Sequence, residues 1–194
     1  MLNQSAANYV ACCDSDTFRF VVQERCCISY VKWSGIDQPK LLKEVDPKDW
    51  VPAYAMISEY CFQWTDFITR TTGRLTKIIR IVDLVNMSVS KNANARASFR
   101  DGKALNSMED YYPQMLQALW LTEAPFWIEG PWMTIRPLMP KRVLQKFDFL
   151  EPSRKPKDLE RFQQFVDIDK IPKHYGGNFP HWPDDTKPPQ HLLG

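Results

Sequence analysis

Residues 119–139 read LWLTEAPFWIEGPWMTIRPLM, and a basic pair, Lys141-Arg142, follows closely. The pattern predicts a short buried strand, a turn marked by proline, and then a helix over residues 125–136 that is apolar around most of its circumference. A surface helix of a globular protein has one apolar face, so a helix that is apolar all round must be buried on every side or contact lipid. This segment therefore raises the question of lipid contact.

Length and composition limit the protein class. The 194 residues fit one domain, and 44% hydrophobic residues are enough for a substantial core. The net charge of +2, without a Lys/Arg-rich run, argues against a nucleic-acid partner. The five cysteines are odd in number and include two vicinal pairs, which favours unpaired thiols in a reducing cytosol over a disulfide or zinc framework.

Membrane-spanning and targeting signals are not evident. No continuous run of about 18 apolar residues occurs, so we expect no transmembrane helix. The first residues, MLNQSAANYVACC, do not have the pattern of a signal peptide. We therefore expect a cytoplasmic protein that associates with membranes only peripherally.

The rest of the chain predicts an α/β fold. Residues 75–84, LTKIIRIVDL, are nearly all apolar and β-branched, as in a parallel strand covered on both faces. Further strands are expected at residues 117–123 and 146–150, with one or two more within 18–30, and helices at 50–70, 88–110 and 157–166. Gly73 is expected to cap the first of these helices. Strands alternating with helices indicate a mostly parallel sheet with flanking helices.

Three segments are expected along the chain. Residues 1–45 are hard to interpret and are predicted to be poorly defined. Residues 46–177 carry the predicted α/β elements and form the domain. Residues 178–194 are rich in proline and are predicted to be an extended or disordered tail.

Catalytic and cofactor motifs are not found. The sequence has no GxGxxG after a strand, no P-loop and no GxSxG motif, so we expect no enzyme and no cofactor. His174 and His181 lack further ligands arranged around them, so no metal site is predicted. Asp83 and Asp110 stand alone at element ends, where turn or cap roles are favoured, and no catalytic residue is assigned.

Two charged features each have two interpretations. Alternation along the strand puts Ile78, Arg80 and Val82 on one face, so Arg80 either reaches solvent along its aliphatic stem or lines a cavity that holds an anionic partner. A basic cluster near the apolar helix is either a solvated surface or attracts anionic lipid headgroups. That cluster consists of Arg136, Lys141, Arg142 and Lys146.

Five short motifs carry a resemblance to a known family. They are Tyr111-Tyr112-Pro113, Glu123-Ala124-Pro125-Phe126, Arg136-Pro137-Leu138, Lys146-Phe147, and IPKHYGG at residues 171–177. In order and spacing they resemble the CRAL-TRIO lipid-binding domain of the phosphatidylinositol-transfer and α-tocopherol-transfer proteins. IIRIVDL followed by Met87-Ser88 is similar to the central strand of the family, which extends the likeness back to about residue 50. The resemblance implies a sheet floor, a hinged gate helix over residues 126–138, and a cavity for one lipid or other hydrophobic molecule.

The resemblance also implies site residues. The ligand would contact the floor strands at Ile78, Arg80, Val82, Leu119 and Leu121. It would contact the gate at Ile128, Trp132 and Ile135. It would also contact Lys146, which matches a lysine that phosphatidylinositol-binding members use near the headgroup. The outer side of the gate would contact the membrane through Phe126, Trp127, Met133 and Met139.

Several positions depart from the family pattern. Val143 and Gln114 replace a threonine and a glutamate of the phosphatidylinositol-binding members, and Ile78 and Arg80 replace the serine and threonine that hold phosphatidylcholine. These changes favour a different anionic ligand, which would meet Arg80 and Lys146.

Two further departures concern the gate and the N-terminus. The family's gate usually lacks Gly130-Pro131, which is expected to kink the helix in its middle, because proline removes a backbone hydrogen bond. The family's N-terminal helical lobe is not matched by residues 1–45, which fits either a shortened chain or an imperfect gene assignment.

The expected function is non-covalent. The chain would bind a phospholipid or other hydrophobic ligand in its cavity and exchange or transfer it during transient contact with a membrane. The alternative is a module that senses lipid, targets membranes or binds proteins without transferring anything.

Overall fold

The computed structural model describes residues 4–22 and 26–182. The strands are β1 (Phe18–Val22), β2 (Cys27–Lys32), β3 (Ile78–Asp83), β4 (Leu116–Thr122) and β5 (Phe147–Leu150). They form one sheet in chain order, in which β1 pairs antiparallel with β2 and the other three pairs are parallel. The predicted α/β class with a mostly parallel sheet is confirmed.

Helices connect and cover the strands. The α-helices are α1 (Gln4–Val10), α2 (Gln38–Glu44), α3 (Trp50–Thr72), α4 (Val89–Asn92), α5 (Ala95–Tyr111), α6 (Glu129–Ile135), α7 (Lys141–Leu144) and α8 (Pro156–Gln163). Short 3-10 helices occur at Trp33–Gly35, Pro47–Asp49, Arg136–Leu138, Ile168–Lys170 and Lys173–Tyr175. As predicted, α3 ends at Gly73, whose φ of 68° is a left-handed conformation that glycine adopts readily.

The sheet is covered on both faces. On one face, Ile79 and Ile81 of β3 pack in a core cluster with Phe162 of α8. On the other face, Val31 and Ile78 belong to clusters that contain residues of α1, α2, α3 and α5. The side chains of β3 therefore alternate between two helical layers, and the second layer leaves room for the cavity described below.

The N-terminal segment supplies two strands, in agreement with the one or two strands expected within residues 18–30. β2 pairs with β3 along its whole length, from Cys27 opposite Ile78 to Lys32 opposite Asp83. Five consecutive residues of β2 are buried, because the strand is covered on both faces. Its sequence therefore lacks the alternation of apolar and polar residues that identifies a half-buried strand.

The proline-rich tail, predicted to be extended or disordered, packs against the domain at Trp182. Trp182 is only 2% exposed and packs near the rings of Tyr30, Phe162 and Tyr175. The backbone of Phe179 is hydrogen-bonded to Ile171. Trp182 is therefore part of the core, although Asn178, Pro180 and His181 are exposed, and the expectation for residues 183–194 lies outside the described residues.

The helix predicted over residues 125–136 is shorter than expected. Residues 126–128 form a turn, and α6 begins only at Glu129. Pro131 is then the third residue of α6, where a backbone N–H has no helical partner in any case. The predicted mid-helix kink at Gly130-Pro131 is therefore wrong. Among the described residues, no helix is long and apolar enough to span a membrane.

Candidate functional site

A cavity of about 110 Å³ lies between the sheet and the helices of the second layer. This volume is roughly ten times the space that a single buried water requires. Its floor includes Arg80 and Val82 of β3 and Leu119 and Leu121 of β4. We call it the main cavity; the described residues that line it are almost all apolar.

The main cavity is closed on one side by residues 126–138, which comprise the turn at 126–128, α6 and the 3-10 turn Arg136–Leu138 and which we call the gate. Ile128, immediately before α6, and Trp132 and Ile135 within it all line the cavity. Seven of the nine residues predicted to bind ligand therefore line one space. Their contact with a ligand remains a prediction.

Ile78 and Lys146 are placed elsewhere. Ile78 is fully buried and lines a second, smaller cavity of about 50 Å³, which shares Arg80, Leu105 and Leu119 with the main cavity. The Lys146 Nζ donates a hydrogen bond of 2.7 Å to the backbone oxygen of Leu116, and Lys146 lines neither of the two cavities. The expectation that Lys146 meets an anionic ligand together with Arg80 is therefore not supported by the geometry.

The outer side of the gate is strongly exposed at two of its predicted membrane-contact positions. Phe126 is 95% exposed and Met133 is 71% exposed, whereas Trp127 is half-buried. Met139 is only 6% exposed and lines the main cavity, so its expected membrane contact is corrected. The 3-10 turn directs the chain back to the protein at this point, because Met139 N donates to Arg136 O at 3.2 Å.

Close packing holds the end of the gate against α5. A Cβ added to Gly102 of α5 would lie 2.7 Å from Leu138 Cδ1 and 3.0 Å from Leu138 Cβ. Glycine at this position therefore allows an approach that any larger residue would obstruct.

Arg80 lines the cavity and does not simply extend to solvent. Its Nε atom is buried and has no hydrogen-bond partner among the described residues. Burial raises the pKa of the Cys61 thiol and outweighs the effect of the Arg80 charge, which favours the thiolate, so Cys61 is neutral near pH 7. Arg80 is the one charged side chain among the described residues that line the main cavity.

A buried carboxylate lies behind the cavity wall. Asp101 of α5 accepts hydrogen bonds from Trp50 Nε1 at 2.9 Å and from the Tyr54 hydroxyl at 2.8 Å. Burial raises the pKa of Asp101 to about 6, although these two hydrogen bonds oppose the shift. Tyr54 also lines the main cavity, so the carboxylate is one side chain away from it.

A polar network stabilises the carboxyl end of β3. Asp83 accepts hydrogen bonds from the Tyr30 hydroxyl at 2.8 Å and from Val85 N at 2.9 Å, and lies 3.4 Å from His174 Nε2. Burial raises the pKa of Asp83, but hydrogen bonds from His174, Val85 and Tyr30 outweigh it, so the net pKa is lowered. The expected cap role of Asp83 is confirmed by its bond to Val85 N.

The predicted basic cluster is only partly available to a partner. Arg142 Nε lies 2.9 Å from Glu109 Oε1, and Lys146 is held by Leu116 as described. Arg136 and Lys141 are exposed. The described residues contain no group of three His, Cys, Asp or Glu side chains able to hold a metal ion.

Several cavity residues were not identified from the sequence. Tyr9, Phe18, Trp33 and Ile36 line the cavity from the N-terminal segment. Their aromatic and β-branched character was the available signal, but no local pattern indicated which face of the sheet they would cover.

Comparisons with known proteins agree with this architecture. The crystal structure of Sfh5 superimposes with a TM-score of 0.69 at 14% identity, covering 99% of this chain and 67% of that chain. Patellin-4 and Patellin-5 of Arabidopsis thaliana are 24% identical over 105 residues and 26% identical over 112 residues, which is 54% and 58% of this chain. The aligned regions span only 18% and 16% of those two proteins.

The sequence pattern of the CRAL/TRIO domain matches residues 23–177. Because this match covers most of the sequence, the chain belongs to the CRAL/TRIO domain family.

Proposed function

We propose that the chain binds one hydrophobic molecule in the main cavity and exchanges it at membranes. The observation that carries the proposal is the position of an almost wholly apolar cavity between the sheet floor and the gate. Family membership supports it, because CRAL/TRIO domains bind lipophilic ligands. Burying a hydrocarbon chain contributes about 0.8 kcal/mol per methylene. Release into water is then slow, and a bilayer is the alternative apolar phase.

The gate supplies the means of exchange in this proposal. Phe126 and Met133 are exposed on its outer side, where an insertion into the acyl-chain region of a bilayer would remove them from water. Movement of the gate toward the bilayer would then open the cavity next to Trp132 and Ile135. The ligand would pass between two apolar environments without crossing bulk water.

No covalent step is part of the proposed function. The described residues lining the main cavity include no His, Cys, Asp or Glu that could serve as a general base. The ligand should therefore leave the protein chemically unchanged. Mass spectrometry of the lipid before and after exchange checks this point.

The test is transfer of pyrene-labelled lipids between donor and acceptor vesicles. We expect the protein to accelerate the transfer of at least one labelled lipid in proportion to its concentration. Binding to vesicles without accelerated transfer would support the alternative, a lipid-sensing or targeting module. A folded protein that neither binds a labelled lipid nor co-purifies with one would contradict the proposal.

A further inference from the structure

We propose that the main cavity selects a long-chain carboxylate, with its carboxylate group on Arg80 and its hydrocarbon chain directed toward the gate. This inference rests on the proposed function and specifies the ligand class. It does not follow from the phospholipid sites of related proteins, since Arg80 stands where the resemblance puts an uncharged floor-strand residue.

The first support is the unbalanced charge of Arg80. The described residues lining the main cavity include no Asp or Glu, and Glu109, which lines the adjoining second cavity with Arg80, is paired with Arg142 at 2.9 Å. Arg80 is half-buried, and its Nε donor is buried without a hydrogen-bond partner among the described residues. Because a partly desolvated charge without a counter-charge in its own cavity is unfavourable, an anionic group at this point would be favoured.

The second support is that the single charge and the hydrogen-bond donors of Arg80 match those that one carboxylate group needs. Two of the other polar side chains that line the cavity are engaged: Asn92 Nδ2 donates to Trp33 O and Ile36 O, and the Tyr54 hydroxyl donates to Asp101. The remaining ones, Tyr9, Trp33 and Ser98, carry no charge. One guanidinium matches one carboxylate, which carries a single charge and accepts two hydrogen bonds from the Arg fork. A phosphate monoester carries about −1.5 to −2 charges near pH 7 and would leave part of this charge uncompensated.

The third support is the direction of the apolar surface. Arg80 is on the sheet floor, opposite Leu119 on the neighbouring strand. From there, Leu121, Ile128 and Ile135 continue the cavity lining to the gate. A ligand that places its carboxylate on Arg80 would therefore lay its chain on these residues, with its methyl end nearest the gate.

The experiment compares four ligands that share a 16-carbon chain with pyrene at the methyl end. Their polar ends are a carboxylic acid, its methyl ester, an alcohol and a phosphate monoester. We expect the wild-type protein to bind the acid at least about tenfold more tightly than the ester or the alcohol, as for loss of a hydrogen bond to a charged group.

Three variants test whether Arg80 causes the preference for the acid. Arg80→Met should bind the acid and the alcohol with equal affinity. Arg80→Lys should keep part of the preference, because it retains the charge but not the fork. Arg74→Met is the matched control, since Arg74 is exposed in the loop before β3, and it should keep the full preference.

Four outcomes would contradict the inference, and they differ in whether they also contradict the proposed function. Equal wild-type binding of acid, ester and alcohol overturns the inference but leaves the proposed function intact, and this comparison needs no variant to fold. Tighter binding of the phosphate monoester than of the acid overturns the choice of a carboxylate. A preference for acid that survives in Arg80→Met overturns the role of Arg80. Failure of all four ligands to bind the folded protein overturns the proposed function as well.

Discussion

Trp132 of the gate stacks on Phe147 of β5, with ring centroids 4.0 Å apart and planes 13° from parallel. Phe149 meets both rings edge-on, at centroid distances of 5.5 Å and 5.0 Å. Trp132 and Phe147 also line the main cavity. One aromatic contact therefore closes the cavity and attaches the gate to the edge of the sheet, so opening the gate requires this pair to separate.

Loss of the stacked pair should accelerate ligand release. Trp132→Leu keeps an apolar side chain but removes the ring contact, which is worth about 1 kcal/mol beyond its buried area. If that contact is lost on opening, the release rate should rise roughly fivefold. Stopped-flow transfer of a pyrene-labelled lipid into excess acceptor vesicles measures this rate.

Phe99→Leu provides the control for the aromatic change itself. Phe99 of α5 is 42% exposed and does not line the cavity. Its replacement should leave the release rate unchanged. An unchanged rate in Trp132→Leu would show that the gate does not open by separating from β5.

Phe126 should contribute to vesicle binding and not to folding. Its side chain is 95% exposed, so Phe126→Ala should change the free energy of unfolding by less than about 0.5 kcal/mol. If the ring inserts into the bilayer, its removal should weaken vesicle binding about tenfold or more. Co-sedimentation with vesicles and urea denaturation give the two values.

The control for an exposed apolar side chain is Leu75→Ala. Leu75 is 76% exposed, but it precedes β3, whereas Phe126 follows β4. Because these strands are parallel, the two side chains lie toward opposite ends of the sheet. Equal losses of vesicle affinity in the two variants would argue against a specific gate contact.

Part of the cavity floor was accessible from the sequence because its position follows from local geometry. Strand periodicity puts Arg80 and Val82 on one face of β3, whereas the family resemblance implied the positions of Trp132 and Ile135 in the gate. The strand β3 itself was recognisable by its continuous β-branched sequence. Such patterns can be recognised from residues that are close together in the sequence.

Other features depend on contacts between distant parts of the chain. Tyr9 lines the cavity because α1 packs against α3, and its ring lies edge-on to Trp50 and Tyr54. Lys146 follows the family pattern in sequence, but the carbonyl of Leu116 on the adjacent strand binds its amine. Local sequence specifies neither partner, so these placements could not be predicted.

Gly102 should be coupled energetically to Leu138. Gly102→Ala improves helix propensity by about 1 kcal/mol, but its new Cβ would lie 2.7 Å from Leu138 Cδ1. The gain should therefore be offset in the wild-type background and reappear in part when Leu138 is already alanine, because the Cβ of residue 138 still lies 3.0 Å from the new Cβ. A double-mutant cycle by urea denaturation measures the coupling. Additive free energies would show that the gate end moves away without cost.

Asp101 should make a contribution to the free energy of unfolding that falls as the pH rises. Its pKa rises from 3.8 to about 6 on folding, chiefly because it is buried. The folded state therefore binds the proton more tightly than the unfolded state does. The resulting stability is present in full below pH 3.8 and is lost as the pH rises through about 6.

Asp101→Asn removes this titration while retaining an oxygen that can accept from Trp50 Nε1 and the Tyr54 hydroxyl. The difference in unfolding free energy between wild type and variant should change by about 3 kcal/mol between acidic and neutral pH, because one pKa unit corresponds to about 1.4 kcal/mol. The variant gains relative to the wild type as the pH rises. Urea denaturation of both proteins across this range measures the difference. A constant difference between wild type and Asp101→Asn would mean that folding does not raise the pKa of Asp101, because burial and the two hydrogen bonds then balance.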